Sequence, residues 1–337
     1  MIRRTVSFSK NAVNVFFHIL TRCNLNCVHC YINPRQHGTQ TLPIETIELW
    51  LNAFAAKAPK ANLIFLGGEP TLHPDLSAAV RYARQLGFQS ITIDTNGYLF
   101  CDVLSKITPD DVDFMSFSLD GATRPTNDAI RGQGCYDQCL SGIRQANAGG
   151  FKTSLIYTVS AANIHELADM APLVLDLGVD RFFIQVIGIR GKSAQKSMVG
   201  AASPQVSRRQ WLDRVPAVAE AIARQGVTVT FPKVFLGREE AFECAGLVAD
   251  NYFIFPNGRV YRCPLCEDYP LHSLSFDEDG RLAETPPLNE RNFFQLAIPE
   301  GCVMNKLIQP DNLAYDDDGR PEYKIACCML KEELSGK

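Results

Sequence analysis

The stretch VNVFFHILTRCNLNCVHCY, residues 13–31, decides the fold and the chemistry of this chain. Its first eight residues form a short, largely apolar run, as expected for a buried strand. Cys23, Cys27 and Cys30 follow at once with the spacing C-x3-C-x2-C. Three thiols on one irregular loop can converge on a single small centre, either a zinc ion or an iron–sulfur cluster. The stretch therefore predicts a strand whose carboxyl end carries a metal site.

Downstream of this stretch, short apolar runs alternate with longer amphipathic segments. The apolar runs predict strands that begin near residues 61, 90, 113, 152 and 181. The amphipathic segments predict helices at 43–57, 74–86, 136–148 and 163–177. Strands that alternate with helices indicate βαβ units and a parallel sheet, as a partial barrel or an open sheet. We expect an α/β fold whose ligands gather at the carboxyl ends of the strands.

The alternation weakens towards residue 235, where we place a domain boundary. Residues 189–205 are small and polar and predict a loop, which is followed by a helix at 204–224 and a strand at 227–231. Beyond the boundary, NYFIFPNGRVYR (251–262) predicts a β-hairpin, and six of the twelve cysteines lie after residue 240. We therefore expect a core at 13–235 and a small cysteine-rich domain at 236–337.

Composition and charge exclude several other classes of protein. The chain has 337 residues, of which 46% are hydrophobic and 21% charged, a balance that excludes a disordered chain. A formal net charge of −4 argues against a nucleic-acid partner. The apolar runs are too short for a membrane span, and no secretory signal is evident. We therefore expect a cytoplasmic protein, in which twelve cysteines favour metal or redox chemistry over disulfides.

The segment TRCNLNCVHCY resembles the defining motif of the radical SAM enzymes. The resemblance implies that Cys23, Cys27 and Cys30 hold a [4Fe-4S] cluster, whose open iron is chelated by S-adenosylmethionine (SAM). It continues with GGEP (67–70) after the second predicted strand. Two glycines at a strand end let a ligand approach the backbone closely. In the family this segment binds the methionine amino group, so the cofactor-binding candidates here are Gly67, Gly68 and Glu69.

A further match lies in SFSLDG (116–121) and the Arg-Gly that follows it, which resemble a segment of the SPASM and twitch-containing branch of that family. The resemblance implies that Ser118 and Asp120 lie near the ribose and carboxylate of SAM. Alternation along a strand places both residues on one face. Arg131 carries a planar fork suited to pairing with a carboxylate. The alternatives are a simple turn for Asp120 and a surface ion pair for Arg131.

Three more candidates lie close to these motifs. Asn96, in DTNGYL (94–99), matches the TNG turn of the family and is expected to touch SAM, although a plain turn is the alternative. His29 occupies the position where the family carries an aromatic residue against the adenine, and a zinc ligand is its alternative. Tyr31 is expected to cover the same cluster, with loop packing as its other role.

A second set of cysteines resembles the opening of a SPASM or twitch domain, where an auxiliary iron–sulfur cluster binds. Six cysteines are too few for two fully cysteine-ligated four-iron clusters, so the resemblance implies one auxiliary cluster. One of the adjacent pair at 327 and 328 is then a bystander, and a zinc knuckle is the alternative site. The candidate ligands are Cys244, Cys263, Cys266, Cys302, Cys327 and Cys328. The remaining thiols, expected to be ordinary ones, are Cys101, Cys135 and Cys139.

Together these motifs imply an enzyme built on a partial (β/α)6 TIM-like barrel with a C-terminal auxiliary-cluster domain. By analogy with the family, it cleaves SAM reductively and abstracts hydrogen from a small-molecule, tetrapyrrole or peptide substrate. Flavodoxin or ferredoxin is the expected reductant, and neither nucleic acid nor a membrane is an expected partner. The auxiliary cluster would transfer an electron or bind substrate. The alternative is a non-catalytic iron–sulfur or zinc-binding electron-transfer protein that uses the same cysteines.

Overall fold

The computed structural model describes residues 1–7, 12–58, 60–194 and 203–336. Its strands, in chain order, are β1 (Ile2–Ser7), β2 (Asn14–His18), β3 (Asn62–Leu66), β4 (Ser90–Thr95), β5 (Phe114–Ser118), β6 (Thr153–Val159), β7 (Arg181–Val186), β8 (Thr228–Pro232), β9 (Phe235–Leu236), β10 (Asn251–Ile254), β11 (Arg259–Tyr261), β12 (Leu274–Phe276), β13 (Leu282–Glu284), β14 (Lys324–Ile325) and β15 (Leu330–Ser335). The predicted strands and hairpin are all present among them.

The α-helices lie mainly between the parallel strands. In chain order they are α1 (Pro34–His37), α2 (Ile44–Lys57), α3 (Leu76–Gln85), α4 (Val103–Lys106), α5 (Arg124–Arg131), α6 (Cys135–Ala148), α7 (Met170–Leu177), α8 (Arg208–Ala223), α9 (Ala245–Val248), α10 (Arg291–Phe294) and α11 (Val303–Ile308). In the described part of the chain, no helix is long and apolar enough to cross a membrane.

The centre of the fold is a run of parallel strands. β2 to β8 are hydrogen-bonded neighbours in chain order, each parallel to the next. This order results from consecutive βαβ units, as the spacing of the sequence predicts. The strand predicted at 227–231 is β8, which extends the same parallel array. The carboxyl ends of all these strands lie at one edge, where the candidate site is found.

Burial alternates along the strands, so the sheet has two unlike faces. On β4, Ile91 and Ile93 are fully buried in the main hydrophobic core, whereas Thr92 between them is partly accessible. On β3, Leu63 and Phe65 are buried in the same core, whereas Asn62 is partly accessible. Successive side chains point to opposite faces of a strand. The helices therefore cover one face, and the other face carries more polar, partly accessible side chains.

The C-terminal part of the chain joins both edges of this parallel array. β10 pairs in parallel with β2, in the register Asn251↔Asn14, and continues through the antiparallel strands β11 to β13. At the other edge β15 pairs antiparallel with β8, in the register Lys331↔Pro232, and β1 pairs with β15. The segments on either side of residue 235 thus share one sheet, and the boundary placed there stays a prediction.

Two local differences from the predicted elements have physical reasons. The predicted helix at 163–177 is a 3-10 helix (Ile164–Asp169) followed by α7. Pro172 lacks an N–H group and its ring opposes the carbonyl four residues earlier, so an α-helix begins only just before it. The helix α5 was not predicted, and Pro125 lies in its first turn. In the predicted loop 189–205, residues 195–202 lie outside the described residues.

Candidate active site

The loop that carries the first three cysteines is held by the Gly-Gly turn after β3. Gly68 N donates to Leu20 O at 3.0 Å, and Glu69 N donates to Arg22 O at 3.0 Å. A Cβ on Gly68 would lie 2.4 Å from Arg22 O, a distance that no side chain could tolerate. Among the described residues, the segment that leads into the cysteine loop makes the close approach that these glycines permit, and their contact with SAM stays a prediction.

Glu69 joins the ends of β3 and β4. Its carboxylate is 1% exposed. Oε1 accepts hydrogen bonds from Thr71 Oγ1 at 2.6 Å and Thr95 Oγ1 at 2.8 Å, and Oε2 accepts from Asn96 N at 2.7 Å. Burial raises the pKa of Glu69, and these hydrogen bonds oppose that rise. The carboxylate thus holds the strand ends at which the predicted SAM contacts lie.

Asn96 connects β4 to the cysteine loop. Its Nδ2 donates to Asn24 Oδ1 at 2.8 Å and lies 3.9 Å from Cys23 Sγ. Cys23 Sγ also accepts a hydrogen bond from Leu25 N at 3.4 Å. Burial raises the pKa of the Cys23 thiol to about 12, and the neighbouring Cys27 and Cys30 contribute to that rise. Two N–H donors therefore face a sulfur atom that has two further thiols nearby.

A buried ionic group lies beside the same loop. Asp120, fully buried just after β5, has its Oδ2 2.7 Å from Arg131 Nε and 3.2 Å from His29 Nε2. Its Oδ1 accepts a hydrogen bond from Thr158 N at 2.7 Å. Burial by itself raises the pKa of Asp120, but Arg131 and His29 outweigh it and hold the pKa at about 2. Asp120 thus contacts two other predicted cofactor-binding residues, Arg131 and His29.

The carboxyl end of α5 abuts the cysteine loop directly. Val28 N donates to Ile130 O at 2.9 Å, and Cys27 Sγ lies 3.8 Å from Arg131 O. Burial raises the pKa of the Cys27 thiol, and the Arg131 guanidinium opposes that rise. The unpredicted helix therefore supplies a wall of the site. Its first residues are held by Glu166, whose carboxylate accepts hydrogen bonds from the backbone preceding the helix.

Two predicted cofactor-binding residues have other neighbours. Ser118 ends β5 and is partly buried, and its carbonyl oxygen accepts a hydrogen bond from Cys139 Sγ at 3.6 Å. The Tyr31 hydroxyl lies 2.7 Å from His18 Nε2, and the Arg190 guanidinium stacks on its ring at 4.7 Å from the centroid. Tyr31 therefore contacts both His18 and Arg190, and its expected role at the first cluster stays a prediction.

The second set of cysteines is gathered in one apolar region. The thiols of Cys263 and Cys266 hydrogen-bond to each other. Cys302 directly precedes α11, and its sulfur accepts a hydrogen bond from Asn305 N at 3.5 Å. Burial raises the pKa of Cys302, and repulsion from neighbouring cysteines adds to it. One cavity, with Phe242, Phe293 and Met304 in its wall, is lined by Cys244, Cys263, Cys302, Cys327 and Cys328. Cys266 packs in the same hydrophobic cluster.

Glu290 is a buried carboxylate at this second site that sequence reasoning missed. Its Oε1 accepts hydrogen bonds from Arg262 N at 2.7 Å and Ser273 Oγ at 2.6 Å, and its Oε2 accepts from Cys263 N at 3.2 Å. Burial raises the pKa of Glu290 to about 7, against the effect of these bonds. Nothing in the local pattern of the sequence distinguishes this glutamate from a surface one.

The residues fit the groups that the family implies. Within the described ranges, no group of three or more His, Cys, Asp or Glu side chains is arranged to hold a single metal ion. All twelve cysteines are free thiols, and at both sites a backbone N–H points at a sulfur atom. His29 Nδ1 is buried without a hydrogen-bond partner in the described residues. Thiols with N–H donors suit iron–sulfur clusters, and the orphaned ring nitrogen leaves a polar atom for a bound ligand.

Comparison with known proteins gives an independent result. Residues 17–174 match the family described as "Radical SAM superfamily". The chain is 32% identical over 185 residues to the pre-heme d1 synthase of Dinoroseobacter shibae. This aligned region covers 53% of this chain and 44% of that protein. It is 32% identical over 176 residues to the Fe-coproporphyrin III synthase of Methanosarcina barkeri, covering 51% and 42%. The chain thus spans less than half the length of these two relatives.

Solved structures show the likeness of the fold over a longer part of the chain. Streptococcus suis SuiB, which has also been solved bound to its precursor peptide SuiA, superposes with a TM-score of 0.70 at 14% identity. The superposition covers 88% of this chain and 74% of SuiB. At this identity the likeness concerns the fold alone. Residues 17–174, just under half of the chain, are thus similar to the radical SAM superfamily.

Proposed function

We propose that this chain belongs to the SPASM/twitch branch and reductively cleaves SAM to abstract a hydrogen atom from an organic substrate. The observation that carries the proposal is the convergence of four segments on the loop of Cys23, Cys27 and Cys30. These segments are the Gly-Gly turn, the end of β4, the group around Asp120 and the carboxyl end of α5. Each touches the loop through a hydrogen bond or an ion pair whose distance is given above.

In this proposal Cys23, Cys27 and Cys30 hold a [4Fe-4S] cluster, and SAM binds beside it. When bound, these two groups supply the radical chemistry that breaks an inert C–H bond. The chain's own residues orient and enclose them. Asp120 fixes Arg131 and His29 at the cysteine loop, and Glu69 fixes the backbone of Asn96. Because Asp120 and Glu69 are buried, their alignment costs little reorganisation when a ligand arrives.

We further propose that the second set of cysteines holds one auxiliary [4Fe-4S] cluster, which exchanges an electron with the substrate or binds it. The shared apolar cavity, the free thiols and the N–H groups at sulfur support this part of the proposal. The described residues that line this cavity include five cysteines and no carboxylate. Such a lining is suited to an iron–sulfur cluster, because thiolates are the usual ligands of these clusters. Of the adjacent Cys327 and Cys328, we propose that only one is a ligand.

The proposed domain organisation is a partial barrel at 13–235 with a twitch-like unit at 236–337. The parallel order of β2 to β8 supports the barrel, and the cysteines beyond residue 240 support the second unit. The free state of all twelve thiols is compatible with a reducing cytoplasm. Flavodoxin or ferredoxin is the proposed reductant. Nucleic acid and membranes are not among the proposed partners.

For the substrate we propose a small molecule, and a tetrapyrrole before others. The support comes from the two relatives at 32% identity, whose names are those of a pre-heme d1 synthase and an Fe-coproporphyrin III synthase. A peptide is the second candidate. SuiB has been solved with a peptide, but at 14% identity it supports only the fold. Iron coproporphyrin III and a mixture of short peptides are the two probes that separate these candidates.

The deciding experiment is anaerobic reconstitution with iron and sulfide, followed by reduction in the presence of SAM. We expect 5′-deoxyadenosine and methionine from the wild-type protein, and neither product from Cys27→Ala. Cys101 provides the matched control, because it is exposed and belongs to neither set of candidate ligands. Cys101→Ala should therefore form both products. A wild-type protein that carries intact clusters but forms no 5′-deoxyadenosine would disprove the proposal. A colourless zinc protein would favour the non-catalytic alternative.

A further inference from the structure

Arg190, in the loop after β7, lies between the two cysteine sites and contacts residues that flank both of them. Its Nη1 donates to Pro264 O at 2.6 Å and forms an ion pair with Glu267 Oε2 at 3.1 Å. Its guanidinium also stacks on Tyr31, the residue after Cys30. Pro264 and Glu267 are the residues next to Cys263 and Cys266. One side chain therefore joins the C-x3-C-x2-C loop to the C-x2-C loop.

The two residues after Arg190 repeat this connection through the backbone. Gly191 N donates to Asp268 Oδ2 at 2.9 Å, and Lys192 N donates to Cys30 O at 3.0 Å. Gly191 has a φ of +56°, and a Cβ there would lie 2.5 Å from Cys30 O. Only glycine allows the loop to pack this closely against the first cysteine motif.

The residues that follow the first motif make direct contacts with the second. Asn33 Nδ2 donates to Asp268 Oδ1 at 3.3 Å, and a ring nitrogen of His37 lies 3.0 Å from Glu267 O. The Glu267 side chain is 4% exposed and that of Arg190 is 25% exposed. Because the pair is largely removed from water, removal of one partner leaves an uncompensated charge in a buried position. We therefore expect loss of Arg190 or Glu267 to cost more stability than loss of one partner from an exposed ion pair.

We propose that Arg190 is a positioning residue that fixes the second cysteine site relative to the first. It holds loops 29–37 and 263–268 in one arrangement, and so sets the separation of the two clusters. The part of this inference that concerns clusters rests on the function proposed above. A planar guanidinium is required, because it must reach a carbonyl and a carboxylate at once while lying flat on an aromatic ring. Lysine keeps the charge but cannot make that set of contacts.

Arg259 provides a matched control for the general effect of joining the two parts of the chain. Its Nη1 donates to Gln36 Oε1 at 2.7 Å, so it also connects the C-terminal hairpin to the segment after the first motif. Among the described residues, no hydrogen bond or ion pair joins its side chain to Pro264 or Glu267, the two residues that Arg190 contacts. An effect that is specific to Arg190→Lys and Arg190→Met, and absent in Arg259→Lys, therefore reports the alignment of the cysteine loops.

The first test measures hydrogen–deuterium exchange on the full-length protein before any iron is added. In Arg190→Met, we expect peptides that cover 29–37 and 263–269 to exchange about 10-fold faster or more, while β3 to β6 keep their wild-type rates. Arg190→Lys should show a smaller increase in the same peptides. Arg259→Lys should leave the 263–269 peptides at the wild-type rate. Wild-type exchange in both segments of Arg190→Met would overturn the proposal.

The second test uses the reconstituted protein and measures the magnetic interaction between its two reduced clusters by EPR. We expect Arg190→Lys to bind wild-type amounts of iron and to keep the g-values of each cluster, but to show a changed spin-relaxation rate. An unchanged interaction in both Arg190 variants would overturn the positioning role. If the wild-type protein holds no second cluster, the proposed function fails at that point, and the exchange measurements still decide whether Arg190 aligns the loops.

Discussion

Arg131 Nε lies 2.7 Å from Asp120 Oδ2, and the Asp120 side chain is fully buried. The same carboxylate contacts His29 Nε2 and accepts a hydrogen bond from Thr158 N. Asp120 therefore joins β5, β6, α5 and the cysteine loop through one side chain. Loss of one partner from a buried pair is far more costly than loss of a surface pair, because the remaining charge has no compensation.

From this relationship we predict that Asp120→Asn lowers the free energy of unfolding by about 3 kcal/mol, since it leaves the Arg131 charge buried and unpaired. It should also weaken SAM binding by about 10-fold or more, because His29 and Arg131 lose their common anchor. Urea denaturation and calorimetric titration with SAM measure the two effects.

The control for Asp120→Asn is Asp113→Asn. Asp113 pairs with Arg84 at 2.7 Å, but both side chains are about one-third exposed. Such a pair contributes less than about 1 kcal/mol, so the control should lose little stability and no SAM affinity. Equal losses in the two variants would contradict the role given to Asp120.

The second prediction concerns the pH dependence of stability in the iron-free protein. Burial raises the pKa of Asp94 from 3.8 to about 7, against a hydrogen bond from Ser116. The carboxyl group of Asp94 therefore binds its proton more tightly in the folded state than in the unfolded state. This contribution to stability is fully present below pH 3.8, the ordinary pKa, and is lost as the pH rises through the folded-state pKa of about 7. Asp94→Asn should therefore be less pH-dependent than the wild type between pH 4 and pH 7. The free energy of unfolding is measured by urea denaturation at several pH values. The same change with pH in the wild type and in Asp94→Asn would contradict the raised pKa of Asp94.

The third prediction concerns the contact between the Gly-Gly turn and the cysteine loop. Gly68→Ala places a methyl group 2.4 Å from Arg22 O, which forces the two strand ends apart. We expect a loss of about 1 to 3 kcal/mol in the free energy of unfolding and a lower iron content at the first site. Gly237→Ala is the control, because the nearest atom there is a flexible side-chain oxygen at 3.6 Å. Wild-type stability of Gly68→Ala would show that the loop can shift without cost.

The fourth prediction concerns Glu290, whose carboxylate accepts hydrogen bonds on both oxygens at the second site. In Glu290→Gln, an amide NH2 group replaces one of the two carboxylate oxygens. This group is a donor and faces a backbone N–H, so the hydrogen bond at that position is lost. We expect the reconstituted protein to lose about half of its iron, that of the second cluster, while SAM binding at the first site persists. Iron analysis and EPR measure this loss.

Glu300→Gln is the matched control for Glu290→Gln. Glu300 is also buried, at 6% exposed, and accepts from Lys306 Nζ at 2.6 Å and Tyr315 OH at 2.8 Å. These partners are not cysteines, so full iron content is expected in this variant. Full iron content in Glu290→Gln as well would contradict the assignment of Glu290 to the second site.

Much of the fold could be predicted because its signals are local. The strand runs, the hairpin at 251–262 and five helices (α2, α3, α6, α7 and α8) follow from periodicity and from turn residues, and the three cysteines indicate the candidate first site. The helix α5 was missed because it is short and polar, and a distant side chain, Glu166, holds its first turn. The positions of β1, β10 and β15 at the sheet edges depend on long-range pairing, which no local pattern contains.

The candidate site was predictable in its residue types but not in its connections. Glu69, Asp120 and Arg131 were identified from motifs, whereas their mutual geometry depends on the packing of separate strands. Tyr31 is expected to cover the first cluster, which stays a prediction, and its contacts with His18 and Arg190 depend on the packing of distant segments. Arg190 did carry a weak signal, since it stands between two glycines just after a strand end.

The pairing of β10 with β2 and of β15 with β8 has a consequence for how the chain is made. A ribosome releases β2 to β8 long before β15 exists. During that interval both outer strands present unpaired N–H and C=O groups, which invite pairing with other chains. The pairing of β10 with β2, which lie more than 200 residues apart in the chain, also forms slowly. We therefore expect the nascent parallel array to be the aggregation-prone species of this protein, and truncation before residue 330 to reduce its soluble yield.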